Sequence, residues 1–338
     1  MVYTQRYLAD LKKVRGAVSG VEALEGRSVL VTGAGGLICS ALVDFLLDVG
    51  AQVYAAGRSI EKLQRRFSHW QGQDGLHFIR YDAMEPFSSE IRFDYCIHGA
   101  SNANPAAYGS HPVETMLGNF IGMQQILEHA RKTGAKRVLY VSSSEVYGKK
   151  EGKDPYHERE YGFVDILNPR ACYPSSKRAA ETLCAAYVSE YGVDTVIVRP
   201  GHVYGPTATA SDNRASSQFP RDVLAGKDIV MKSAGSQLRS YCYVLDCVSA
   251  MVAVLLKGET GSAYNISNRE SLVTIRQMAE AFAHAAGRKI VFEDPSVAEQ
   301  KSYNLMDNSA LDASSLEALG WRGMFDLAAG VEATLDAM

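Results

Sequence analysis

Tyr173 and Lys177 stand four residues apart at the start of a helical pattern, which sets a phenol and an ammonium on one face. A nearby ammonium favours the phenolate, so the spacing predicts that Tyr173 releases its proton well below the ~10 of free tyrosine. Upstream, Ser142-Ser143-Ser144-Glu145 closes the apolar run Val138-Leu139-Tyr140-Val141, where a buried strand would surface. The Ser143 hydroxyl can then bond the alcohol that Tyr173 deprotonates and fix its orientation. These groups suit one kind of reaction, in which a proton leaves an alcohol oxygen as a hydride leaves its carbon. Taken alone, Tyr-x-x-x-Lys is a common spacing on surface helices. It acquires meaning from the elements around it.

Positioning such a pair takes a sheet whose strands end together. Ser28–Thr32, Gln52–Ala56, Leu76–Asp82, Asp94–Ser101, Lys136–Val141 and Thr195–Arg199 read as strands, separated by helical patterns that include a long one over 112–133. This alternation predicts an α/β chain with a Rossmann-type, doubly wound parallel sheet. After Arg199 it loosens, and a smaller C-terminal α/β substrate lobe is expected, with helices near 274–286 and 325–337. The expected division is an N-terminal helical extension (1–26), a dinucleotide-binding domain (27–200, with a return segment near 241–266) and a substrate lobe (201–338). Residues 4–18 carry Tyr7, Leu8, Leu11 and Val14 at near-helical spacing, which reads as a docked brace.

Between the first strand and the first helix lies Gly33-Ala34-Gly35-Gly36-Leu37-Ile38-Cys39. Glycine permits a tight turn and lets a diphosphate approach backbone N–H groups at a helix N-terminus. Gly33 and Gly36 meet a Gly-x-x-Gly-x-x-Gly pattern whose third position is Cys39. That position serves helix–strand packing, so a small thiol is expected to fit with a slight shift. The second strand ends in Gly57-Arg58-Ser59, with no acidic residue to hold the ribose hydroxyls of NAD. Arg58, followed by Lys62 and Arg65 or Arg66, can instead meet the 2′-phosphate of NADP, or form a solvated basic face. His98, on an apolar strand, reads as a core histidine.

The 338 residues suffice for a large core, and a net charge of −3 gives no reason to expect a nucleic-acid partner. No apolar run approaches the ~20 residues that span a bilayer, so no membrane partner is expected. The N-terminus lacks a signal-peptide pattern. Six cysteines without Cys-x-x-Cys read as reduced core thiols of a cytoplasmic protein, and eight histidines show no metal-ligand spacing, so no metal is expected.

From about residue 28 onward, the glycine turn, Ser143-Ser144-Glu145-Val146-Tyr147-Gly148 and Tyr173-x-x-x-Lys177 resemble the extended short-chain dehydrogenase/reductase family. Its members are the NAD-dependent nucleotide-sugar epimerases, dehydratases and decarboxylases. The resemblance implies bound NAD, Asp82 as an adenine contact, and Ala100 beside the cofactor. It also implies Asn119 as a buried active-site asparagine that holds an ordered water, and a homodimer built on the Asn119 and Tyr173 helices. Arg239, in Gly235-Ser236-Gln237-Leu238-Arg239-Ser240, looks like the family's diphosphate-gripping arginine. Arg214 belongs to the same implied nucleotide-sugar pocket.

Three reactions of the family share oxidation at the sugar C4 hydroxyl. A 4,6-dehydratase has an aspartic acid where this chain has Ser144. A 4-epimerase needs only rotation of the keto sugar and usually lacks Glu145. The segments Ser-Glu-Val-Tyr-Gly, Pro-Arg-Ala-Cys-Tyr and Ser-Gln-x-Arg-Ser look most like the UDP-glucuronate decarboxylase group. That likeness gives Glu145 ring distortion or proton delivery, and gives Arg170 and Arg239 the anionic substrate. His202 departs from the group's asparagine, and Arg58 from its acidic ribose ligand. The alternative of another class is a non-catalytic NAD(P)-binding regulator. An intact set of Ser143, Tyr173 and Lys177 argues against it.

Overall fold

The computed structural model describes residues 3–103, 105–152, 154–295 and 306–338. Seven parallel strands form the central sheet: β1 (Ser28–Thr32), β2 (Gln52–Gly57), β3 (Leu76–Arg80), β4 (Tyr95–His98), β5 (Arg137–Val141), β6 (Thr195–Pro200) and, late in the chain, Ala263–Ile266. Their order places β3 at one edge, then β2, β1, β4, β5, β6 and the late strand. The order reverses between β1 and β4, the point at which open α/β sheets bind ligands beyond their carboxyl ends.

Alternation along the strands decides which helix covers which face. Val29 and Val31 point into one core with α1 (Gln5–Ala17), α2 (Leu37–Val49) and the helix Val244–Lys257. Leu30, Cys96, Val138 and Tyr140 point the other way, into a second core with α5 (Pro112–Thr133) and α6 (Cys172–Tyr191). Val29, Val31 and Leu30 are fully buried, and each such side chain contributes about 1.5–3 kcal/mol. Two short helices complete the elements near the site, α3 (Ile60–Arg66) and α4 (Pro105–Ser110).

Beyond β6 the chain builds smaller sheets. Leu238–Tyr243 pairs in parallel with His202–Tyr204 and antiparallel with Leu272–Thr274. Helices Ile275–Ala285 and Leu327–Ala337 lie where periodicity places them. All six cysteines are buried and free. No described helix is long and apolar enough to cross a membrane.

Candidate active site

β1 delivers the chain into a turn at Gly33, whose φ of +70° lies in the left-handed region. A Cβ there would stand 2.8 Å from Ala100 N and from Gly99 C and O, so only glycine lets this turn lie against the end of β4. Gly36 caps α2, and no side chain satisfies the first N–H groups of that helix, which belong to Leu37 and Ile38. Beyond β4 and β5, the buried hydroxyls of Ser101 and Ser142 have no partner among the described residues. Free N–H groups at a helix N-terminus together with orphan hydroxyls fit the diphosphate and ribose of a dinucleotide. At Cys39 the thiol packs against Gly99. A Cβ at residue 99 would collide with Cys39 Sγ, so Gly99 leaves the room that a glycine at position 39 would otherwise supply.

β5 ends at Val141, and the 3₁₀ turn Ser144–Tyr147 follows with Ser143 as its cap, Oγ accepting from Glu145 N at 3.2 Å. The first turn of α6 brings Tyr173 to this point, where its phenol hydrogen-bonds Ser143 and Tyr108. One turn on, Lys177 Nζ donates to Val141 O at 2.8 Å and lies 5.8 Å from the centre of the Tyr173 ring. Asn119 Nδ2 donates to Ser176 Oγ at 2.9 Å, while its Oδ1 is buried with no partner among the described residues.

The acidity expected of Tyr173 is corrected here. Burial, and then the charge of Glu145, push its pKa up to about 12, against hydrogen bonds from Ser143 and Tyr108 and the cation of Arg214. Lys177 is itself buried, which pushes it down to about 7. Spacing puts the ammonium on the correct face, but enclosure raises the cost of both charges and outweighs their attraction. His98 matches expectation as a core residue. It is held by Thr32 Oγ1 at 2.9 Å, and burial followed by the charge of Lys177 lowers it to about 3.

Four further candidates face the same region. Arg170 forms a two-pronged pair with Glu145, Nη1 to Oε2 at 3.0 Å and Nη2 to Oε1 at 3.1 Å, and its Nε is buried with no partner among the described residues. Arg214 is paired with Asp212, yet its charge reaches Tyr173, Tyr108 and His202. Arg239 donates to the backbone oxygens of Leu238, Met306 and Asp307, and among the described residues it pairs with no carboxylate. His202 Nδ1 is buried and unpartnered, and burial, with Arg239 and Arg214, lowers this imidazole to about 3. Ser144, a fifth, is buried.

At the adenosine end, Arg58 is exposed at the close of β2, and Asp82 follows β3 with Oδ1 accepting from Met84 N at 3.0 Å. Arg66 must be withdrawn from the phosphate-facing group. Its Nη2 donates to Asp44 Oδ2 at 2.7 Å, and Asp44 is fully buried.

Tyr108 is a site residue that the sequence did not reveal. Its ring stacks on that of Tyr173, centroids 4.6 Å apart at 17°, and the Arg170 guanidinium lies 4.6 Å from the Tyr108 ring centre. The available signal was an isolated aromatic residue in the small-residue stretch after β4. Arg178 was also overlooked. It donates to Val146 O (2.5 Å), Tyr147 O (3.0 Å) and Gly162 O (2.9 Å), joining the turn that carries Glu145 to the helix that carries Tyr173. The loop after Gly148 is anchored at two points. Arg199 Nη1 holds Glu158 O at 2.7 Å and Asn265 Nδ2 holds Tyr156 O at 2.8 Å.

Comparison with known proteins agrees with this arrangement. UDP-glucuronic acid decarboxylase 1 of Xenopus tropicalis is 31% identical over 311 residues, covering 91% of this chain and 71% of the relative. UDP-glucuronic acid decarboxylase 6 of Arabidopsis thaliana is 32% identical over 308 residues, covering 90% and 86%. The structure of Thermus thermophilus UDP-glucose 4-epimerase in complex with NAD superposes with a TM-score of 0.78 at 25% identity, covering 91% of this chain and 98% of that one. The model of the NAD-dependent epimerase/dehydratase family matches residues 29–267. With the dinucleotide turn, the parallel sheet and the Ser143, Tyr173 and Lys177 cluster in place, the chain belongs to the NAD-dependent epimerase/dehydratase family.

Proposed function

We propose that this protein oxidises the C4 hydroxyl of a nucleotide sugar, and that its overall reaction is decarboxylation of UDP-glucuronate. The reading rests on one observation: Ser143, Tyr173 and Lys177 meet at the strand ends beside the Gly33 turn. Bound NAD(P) supplies the hydride acceptor. Tyr173 takes the C4 proton, Ser143 orients that hydroxyl, and Lys177 steadies the charge left on the phenol. A ketone at C4 lies β to the C5 carboxylate, whose loss as CO₂ sends the electron pair into that carbonyl. Glu145 assists delivery of a proton to C5. Return of the same hydride to C4, with the proton held by Tyr173 going back to the C4 oxygen, leaves the pentose and closes the redox cycle. Arg170, through its unpartnered Nε, and Arg239, which has no carboxylate partner, receive the substrate's anionic groups. Asn119 positions a water through its free Oδ1, while His202 and Arg214 line the nucleotide side.

At the adenosine end, Arg58 is exposed and no acid ends β2, which favours NADP over NAD. The lobes divide near residue 200. On α5, Val113, Met116, Leu117 and Phe120 recur at helical spacing and are 40–63% exposed, which suits a homodimer seam with α6. Free buried thiols suit the cytoplasm.

Incubation with UDP-, dTDP-, GDP- and CDP-sugars, read by mass spectrometry, tests the reaction. Loss of CO₂ from UDP-glucuronate supports the reading. Loss of water from a hexose, or isomerisation without mass change, would replace it with a dehydratase or an epimerase.

A further inference from the structure

Asp44, on the inner face of α2, is fully buried and surrounded by donors from three separate segments. Tyr3 Oη (2.9 Å) and Tyr7 Oη (2.8 Å) reach it from the N-terminal extension, Arg66 Nη2 (2.7 Å) from the end of α3, and Trp70 Nε1 (2.8 Å) from the turn that follows. The Tyr3 hydroxyl also accepts from Arg66 Nη1 and lies 3.0 Å from Arg66 O, a second acceptor for its one proton. Four side-chain donors thus converge on one carboxylate, and two of them belong to residues ahead of the first strand.

The hub ties α2 to the end of α3. The N-terminus of α2 carries the open N–H groups of Leu37 and Ile38, and α3 begins just after Arg58 and carries Lys62 and Arg65 on its exposed side. Between the two helices, Leu63 lies 3.6 Å from the position a Cβ would take at Gly35 and 3.5 Å from that at Gly57. A continuous path therefore runs from Tyr3 and Tyr7 through Asp44 and Arg66 into α3, and through Leu63 onto the dinucleotide turn. We infer that the N-terminal extension is a positioning element for the adenosine half of the dinucleotide pocket, acting through the Asp44–Arg66 hub. The inference rests on the reading of the Gly33–Gly36 turn as that pocket. Tyr3 and Tyr7 touch no reacting group. They set how tightly α3 closes on the turn, and so govern cofactor affinity rather than the chemical step.

The test is calorimetric titration of the full chain with NAD and with NADP, alongside thermal unfolding and steady-state kinetics. In the double variant Tyr3→Phe, Tyr7→Phe, whose rings still pack, the dissociation constant of the tighter-binding dinucleotide should rise about five- to tenfold. At saturating dinucleotide kcat should be unchanged. Leu63→Ala should reproduce the loss without touching the extension, and combining the two should give less than the product of their effects, because they lie on one path. Should the double variant fail to fold, Tyr3→Phe alone, at the half-buried rim, should still weaken binding two- to threefold. An unfolding temperature that falls while both dissociation constants hold would overturn the inference and leave only a brace. Fully multiplicative effects of the extension and Leu63 would overturn it too. Arg58→Ala serves as the separate check on cofactor choice: an unchanged NADP constant there would sink the preference for NADP and leave the hub inference standing.

Discussion

Asp44 and Glu145 are each gripped by one arginine, and each has tyrosine rings nearby, yet their surroundings differ in completeness. Asp44 is wholly enclosed and receives four side-chain donors, from two phenols, an indole and a guanidinium. Among the described residues Glu145 has only Arg170 as a side-chain partner, and its side chain keeps 20% exposure where that of Asp44 keeps none. A buried carboxylate with a full set of donors has no reason to exchange partners, because any rearrangement strands a charge in a low dielectric. A half-satisfied pair at a mouth can trade a contact for a substrate anion at small cost. The first fixes geometry; the second takes part in binding.

Removing the base gives the largest effect and shows that the open pair serves chemistry. Tyr173→Phe should lower turnover by at least about 10³-fold, as expected for loss of a positioned proton acceptor and its hydrogen bonds, while dinucleotide affinity from titration stays within a few-fold. Unchanged turnover of every nucleotide sugar tried would end the enzyme reading.

Next is the closed pair. Asp44→Ala leaves Arg66 as an uncompensated buried cation and should cost about 3–5 kcal/mol of stability in denaturant unfolding. Glu145→Gln, at the open pair, should cost only about 1 kcal/mol because this position is partly exposed and the amide oxygen still accepts from Arg170. Its larger consequence is kinetic, a loss of turnover of about 10²-fold near neutrality. Equal stability losses for the two substitutions would erase the distinction between them.

The distinction also marks where the sequence is legible. Strand and helix periods are local, so β1–β6, the helix over 112–133 and the Tyr173 helix can be read directly, as can the Gly33–Gly36 turn. Arg58 and Arg66 look alike in sequence. Only the fold shows that one reaches solvent and the other ends on a carboxylate contributed by α2. Tyr108 is hidden for the same reason, since nothing in Pro105-Ala106-Ala107-Tyr108 signals a stack on a residue 65 positions later. Cys39 is tolerated because of Gly99, a complementarity across the turn that neither segment declares alone. The acidity of Tyr173 is the clearest failure of spacing. Which partners lie nearby follows from the pattern, but the sign of the shift depends on how much water the fold excludes.

The acidity of Tyr173 can be shifted in both directions from groups at the open pair, and the two shifts have opposite signs. The base acts when deprotonated, so kcat/KM should climb with pH along a limb that reports Tyr173. The charge of Glu145 raises that pKa, so in Glu145→Gln the limb should move to lower pH, on top of the loss of turnover. Tyr108 acts oppositely, because its hydrogen bond to Tyr173 favours the phenolate. Tyr108→Phe keeps the stacked ring and removes only the hydroxyl, so the limb should move up by about half a unit to one unit, a three- to tenfold deficit near neutrality that closes as pH rises. KM measured on the plateau should hold. If the deficit instead persists at every pH and appears in KM, Tyr108 contacts the sugar and does not tune the base; if nothing changes, the stack alone accounts for its place against Tyr173.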